Sequence, residues 1–325
     1  MPVQVRAGRP LPTQTGNMNA SADRLPLTIF CGKGGVGKTT LSLALALWHA
    51  DQGRTALVVT SHPLPELAVS VSLAGLKEKR PLAAANLFVI HLDPREILNN
   101  YVKQEIPTQL LAEAVISNRI YQSLIEVAPG LKELAFLGHL QQLTEQRSSQ
   151  EGPRKFDLIV WDAPATGHFL QTLKVSRNFD LYLSGPFALL GKQLSHFFSD
   201  PSRYALLPVT TLEEMAVEET IELCAKLAAD LDMRPRRVLC NMTSPLAASP
   251  DSESPEARQR QAGEETESAG LQFILDRSGI ERSLFRHLRA SVATELRIVE
   301  RQPQWETDLD LLLDLSRRLE GLPGN

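Results

Sequence analysis

Phe30-Cys31-Gly32-Lys33-Gly34-Gly35-Val36-Gly37-Lys38-Thr39-Thr40 is the stretch on which the reading of the chain turns. It fits the phosphate-loop pattern G-x-x-x-x-G-K-[ST]. Leu27, Ile29 and Phe30 precede it as a short apolar strand, and Leu41, Leu43, Ala44, Leu45, Leu47 and Trp48 follow as a mostly apolar helix. Strand, Gly-rich loop and helix is the context that makes the pattern a nucleotide site. Glycines let backbone N–H groups turn inward on phosphates without a Cβ in the way. The helix N-terminus adds partial positive charge at the same point. Lys38 is expected to reach the β/γ-phosphates of ATP and Thr39 to ligate Mg²⁺ through its hydroxyl. Gly32, Lys33, Gly34, Gly35, Val36, Gly37 and Thr40 complete the expected cradle.

Lys33, just after the first glycine, narrows the type of loop. G-K-G-G-x-G-K-[ST] is the deviant Walker A. It resembles the loops of nucleotide-dependent dimers that include division-site, partition, nitrogenase-iron-protein and arsenical-pump ATPases. The resemblance implies that Lys33 reaches a partner's phosphates across a dimer.

Composition sets the bounds. The 325 residues, 43% hydrophobic, suffice for one large α/β domain, and a single Walker A excludes an internal duplication of the ATPase unit. Net charge is −4 and the pI about 6.0, so nothing draws the chain generally to nucleic acid or anionic lipid. No apolar run reaches the ~20 residues needed to span a bilayer, and the N-terminus has no secretory-signal core. Cys31, Cys224 and Cys240 form no C-x-x-C pair and read as buried thiols. These features point to the cytoplasm.

Residues 1–25, rich in Pro, Gly, Ser, Asn and Thr, read as a disordered tail before a domain spanning 26–325. Strands are expected at 55–60 and 87–92, with two or three helices over about 93–145, an inserted helical subdomain broken at Pro107 and Pro129-Gly130. Phe156–Asp162 is a strand ending in an acid. Helical segments fill about 169–200, Tyr204–Val209 is a strand, and Thr211-Leu212-Glu213-Glu214 looks like a capping box. Arg237–Asn241 is a strand, 244–270 a mobile loop, and a weak strand near Leu296–Val299 precedes a last helix over about 306–320. That helix carries Leu309, Leu311, Leu312, Leu313, Leu315 and Leu319 beside acidic residues, which suits docking on the sheet rather than on a membrane. The same holds for the apolar run Leu183–Phe198, which reads as core in preference to a client-binding face. The βα alternation predicts a doubly wound, mostly parallel sheet with helices on both faces.

Asp162-Ala163-Pro164-Ala165-Thr166-Gly167-His168 closes the circle. It is similar to the switch II motif of the arsenical-pump ATPase (ArsA) family, which includes the ATPases that target tail-anchored membrane proteins and many bacterial single-domain members. His91-Leu92-Asp93-Pro94-Arg95 and Ala128–Leu134 also resemble segments of the bacterial members, and the likeness is good over about residues 26–243. The resemblance implies that Asp162 acts on Mg²⁺ through water and that Thr166–His168 move with γ-phosphate occupancy. It places Asn241 where the family reads adenine, a role suited to an amide that both donates and accepts. A strand-terminating Asn is the plainer alternative.

The sequence departs from the family at His62, which stands where switch I carries a water-orienting Asp. A carboxylate offers several acceptor lone pairs and a neutral imidazole one. Losing such a group costs about 10²–10⁴-fold in rate, although His62 can itself serve as a weaker base. The zinc C-x-x-C of many targeting ATPases and a cysteine cluster for arsenite are both absent. The resulting expectation is an Mg-ATP-hydrolysing ArsA-like ATPase. It would act as a homodimer, or a heterodimer with a paralogous ATPase, in anion transport or membrane-protein targeting, with a membrane protein as partner or client. The rivals are a nucleotide-binding regulatory subunit with little hydrolysis and a partition or division-site positioning ATPase.

Overall fold

The computed structural model describes residues 25–60, 86–127, 130–149, 152–178, 186–244, 247, 268–302 and 308–322. Most of the expected tail and of the expected 244–270 loop lies outside them. Leu25, placed in that tail, is buried.

The elements run β1 (Leu27–Cys31), α1 (Lys38–Asp51), β2 (Ala56–Thr60), β3 (Leu87–His91), α2 (Pro94–Glu105), α3 (Gln109–Ser117), α4 (Arg119–Val127) and α5 (Leu131–Glu145). They continue as β4 (Leu158–Asp162), α6 (Thr166–Asn178), α7 (Pro186–Ser199), β5 (Tyr204–Thr211), α8 (Glu214–Leu231), β6 (Arg237–Thr243), α9 (Ser268–Ser291), β7 (Glu295–Glu300) and α10 (Asp308–Arg318). The strands form one 7-stranded sheet in the order β3-β2-β4-β1-β5-β6-β7, every neighbouring pair parallel. This is the doubly wound α/β fold that the βα alternation predicts.

Winding outward from β1 in both directions puts the switch point beside that strand, and ligands bind at the carboxyl ends there. The register fixes what meets at that edge: Phe30 lies opposite Asp162 on one side and Cys31 opposite Pro208 on the other.

Strands covered on both faces need apolar residues in both parities, which is why Leu158–Trp161 reads as an unbroken apolar run and Leu27–Cys31 as one interrupted only by the buried Thr28. Leu27, Ile29, Cys31, Ile159 and Trp161 face a core shared with α2 and α5–α8. Phe30, Val58, Val160, Leu207 and Val209 face the opposite core, filled by α1 and α10. Leu312, Leu315 and Leu319 of α10 belong to that second core, so the last helix is docked as its acidic outer face suggests. Leu194, Phe197 and Phe198 of the apolar run are likewise buried, with Leu189 left exposed.

Two local expectations need correction. The block after β3 holds four helices, because Asn118 ends α3 and its side-chain Oδ1 accepts from Ile120 N at 2.8 Å to open α4. The capping box at Thr211 does not form. Thr211 is still in the β5–β6 ladder, opposite Asn241, and Glu213 precedes α8 without a side-chain cap bond. Ladder pairing with a neighbouring strand overrides a four-residue local signal.

Candidate nucleotide site

The loop Gly32–Gly37 leaves the end of β1 and enters α1 at Lys38. Two of its glycines are required by contact as well as by conformation. Gly32 has φ +133°, and a Cβ there would lie 2.2 Å from the Val209 carbonyl oxygen of β5. Gly37 has φ +92°, and its Cβ would lie 2.3 Å from the Asn241 amide nitrogen of β6. The loop is therefore seated directly on the ends of two neighbouring strands, closer than any side chain allows.

Lys38 curls back over the loop, its Nζ donating to the carbonyls of Gly32 at 3.0 Å and Lys33 at 2.8 Å. Burial pulls its pKa down from the ordinary lysine value, while the Asp162 carboxylate acts in the opposite sense. An ammonium so held is a positive charge at the mouth of the loop, its hydrogen bonds made to carbonyls that an anion can replace. Thr39 Oγ1 donates to Asp162 Oδ2 at 2.6 Å, joining groups 123 residues apart. Asp162 is 8% exposed, at the end of β4 beside β1. A hydroxyl and a carboxylate are hard oxygen donors of the kind Mg²⁺ prefers. No group of three or more His, Cys, Asp or Glu able to hold a metal occurs among the described residues. A cation held here would complete its shell from water and phosphate oxygens.

Lys33 points the other way. Its Nζ lies 3.3 Å from Glu219 Oε1 on α8, both side chains about a third exposed. Thr40 is half-buried in the first turn of α1, and Gly34 and Gly35 are exposed at the tip of the loop. Val36 is buried in the α1 core and its carbonyl accepts from Asn241 Nδ2 at 2.9 Å. Asn241 is itself 6% exposed. The segment after Asp162 starts α6 at Thr166; its hydroxyl is buried with no hydrogen-bond partner among the described residues. Gly167 and His168 are exposed. Thus the loop residues, Asp162 and Asn241 come together at one edge of the sheet. His62 lies outside the described residues.

Three contributors carry no sequence signal: Glu219 on Lys33, the Val209 carbonyl under Gly32, and Glu281. The last is buried, accepts from Ser244 N at 2.7 Å and fixes the end of β6. A helical acid, a backbone carbonyl and a glutamate in a long helix become informative only once the strands place them beside the loop. Among the described residues no helix is long and apolar enough to cross a membrane.

Comparison with known proteins agrees with this geometry. The profile of the family described as "Anion-transporting ATPase" matches residues 26–192, just over half of the chain. An "Arsenical pump-driving ATPase" of Acidiphilium multivorum is 27% identical over 239 residues, covering 68% of this chain and 40% of that protein. One of the same description from Escherichia coli is 26% identical over 222 residues, covering 63% and 37%. "ATPase BagA" of Mycobacterium tuberculosis is 26% identical over 236 residues, covering 69% and 67%. The chain thus spans about two fifths of the length of the pump-driving relatives. With the phosphate loop, the strand-end acid and the parallel sheet in agreement with the profile, the chain belongs to the anion-transporting ATPase (ArsA) family.

Proposed function

We propose that this chain binds and hydrolyses Mg-ATP and uses the nucleotide to switch a dimer. The observation that carries the reading is the Thr39–Asp162 bond of 2.6 Å beside the folded-back Lys38. A hydroxyl, a carboxylate and an ammonium converge where a helix N-terminus presents unpaired N–H groups, the arrangement a polyphosphate with its cation demands. Backbone N–H groups of the loop bind the phosphate oxygens, and Lys38 exchanges two carbonyls for them. Thr39 and Asp162 would hold Mg²⁺, which when bound neutralises phosphate charge. Asp162 is joined to Thr166 by only Ala163-Pro164-Ala165, so a change at the phosphates is felt directly at the start of α6.

Calorimetry tests the site. Lys38→Ala and Thr39→Ala are each expected to weaken Mg-ATP binding at least ~10-fold, the scale of losing a charge-assisted bond. Wild-type affinity in both variants would remove the assignment. Hydrolysis is tested separately by steady-state turnover. A chain that binds ATP and does not turn over is the regulatory-subunit alternative, which His62 at the switch I position favours.

The dimer is a homodimer, or a heterodimer with a paralogue that keeps the switch I Asp. Its ATP-bound form should associate in light scattering with a non-hydrolysable analogue and fail to do so as Lys33→Ala. A monomer under every nucleotide condition and with every co-purified partner defeats this part. The role is anion transport, in keeping with the family's description, or membrane-protein targeting, with a membrane protein as partner or client and a cytoplasmic location for this chain.

A further inference from the structure

We infer that Asn241 is a strut of the phosphate loop: its side chain holds the loop in the anion-binding shape. The bond from Asn241 Nδ2 to the Val36 carbonyl, 2.9 Å and buried, connects residues 205 apart in sequence. Its acceptor is a backbone carbonyl, so the end of the amide facing the loop is the NH₂. The next residue, Gly37, approaches so closely that a Cβ would sit 2.3 Å from that nitrogen and 3.3 Å from Met242 Cε. Val36 and Gly37 are the last residues of the loop before Lys38 and α1. Whatever orients their peptide groups orients the N–H groups and the ammonium that face phosphate.

The strand is shaped to deliver this contact. Asn241 shares the side of β6 used by Leu239, toward α1, while Val238 and Cys240 face α9. The β6–β7 register then shifts between Cys240 and Thr243, and Met242 takes φ +54°. Such irregularities re-aim side chains next to sites. The strand end is fixed from behind: Arg301 N donates to Thr243 O at 2.8 Å and Ser244 N to Glu281 Oε2 at 2.7 Å. Glu281 is held in turn by Arg277 Nε at 3.1 Å. The strut therefore stands on a buried, charge-assisted footing. Opening it leaves the buried Val36 carbonyl unpaired, which costs more than the bond itself contributes.

One N–H of the amide is committed to the loop before any nucleotide arrives, so removing it should act on the phosphates whatever base is attached. This rests on the ATP-binding reading, and the tests separate the two. Inorganic tripolyphosphate, which has no base, is titrated beside ATP by calorimetry into the wild type, Asn241→Ala and Asn241→Asp. The aspartate keeps the shape and, ionised, cannot donate. Asn241→Ala is expected to lose affinity for ATP and tripolyphosphate by the same factor, about 10-fold, from an unpaired buried carbonyl, and Asn241→Asp, whose carboxylate also repels phosphate, to lose at least as much for both. Amide hydrogen exchange on the nucleotide-free variants should quicken at residues 32–37 while α1 and β1 keep wild-type protection.

Loss of ATP affinity with tripolyphosphate unchanged would make Asn241 a base reader and overturn the strut. Unchanged loop exchange overturns it as well, in protein that need not bind anything. A wild type that binds neither ATP nor tripolyphosphate defeats the nucleotide reading instead, and loop exchange still decides the strut.

Discussion

Replacing Gly32 by alanine should be the most damaging single-methyl change in the loop. The added Cβ would stand 2.2 Å from the Val209 carbonyl oxygen, when ordinary contact begins near 3.4 Å. Something must move by about 1 Å, and the obstacle cannot. Val209 is backbone of β5, which is paired with β1 on one side and β6 on the other. Gly32 also has φ +133°, a region L-residues avoid. Overpacking costs about 1–3 kcal/mol and a left-handed backbone about 1–2 kcal/mol, together about 2–5 kcal/mol. Against a total stability of about 5–15 kcal/mol this is a large fraction.

Gly37→Ala, at φ +92°, meets the Asn241 side chain instead, which can rotate away at the cost of its bond to Val36. It should fall lower, about 1–3 kcal/mol. Gly34 is the control: nothing lies within 4 Å of its added Cβ and its φ is not positive. Gly34→Ala should change stability by less than about 1 kcal/mol. Urea unfolding followed by circular dichroism, with the slope checked for constancy, reads all three. Finding Gly32→Ala as stable as Gly34→Ala refutes the close seating of the loop on β5.

His62→Asp should raise single-turnover hydrolysis by about 10²-fold or more with nucleotide affinity nearly unchanged; no gain with ATP still bound means another residue orients the water. Glu219→Gln frees Lys33 from its partner in the same chain. It should change unfolding free energy by less than about 1 kcal/mol while strengthening ATP-dependent self-association up to ~5-fold, as a pair about a third exposed allows; association weaker than wild type contradicts it. Burial raises the Cys240 thiol to about 12 and Cys224 to about 11, and raises Cys31 in the same sense. A raised thiol pKa means that the unfolded chain loses its protons first, so these groups subtract stability as pH climbs above about 9, an unfolded thiol's range. Native protein at pH 8 should therefore be alkylated slowly by iodoacetamide at all three positions. Fast labelling of Cys31 or Cys240 would contradict their burial.

Much of the fold was legible because its signals are local. Phe30–Thr40 marks a strand, a phosphate loop and a helix within one short run, and the apolar stretches Leu57–Val59 and Leu158–Trp161 announce burial on both faces. Asp162 was legible for the same reason, standing at the end of such a strand. Local signals misled where a neighbour in space outweighed one in sequence. Thr211 has the look of a helix cap and is held in the ladder by Asn241. Asn118 divides what reads as a single helix by bonding to Ile120 N.

The sequence by itself determined the class of site: glycines, two lysines and a threonine at fixed spacing, and a carboxylate at the end of a later strand. It could not determine which groups touch, because that depends on strand order. Placing β4 and β5 on either side of β1 brings Asp162 to Thr39 and the Val209 carbonyl under Gly32. Placing β6 one strand farther out brings Asn241 to Val36, and packing α8 over the loop gives Lys33 its Glu219. Hydrophobic periodicity tells a strand which of its faces to bury, but it says nothing of which strand lies alongside. That is decided by the packing of the whole sheet between its two layers of helices.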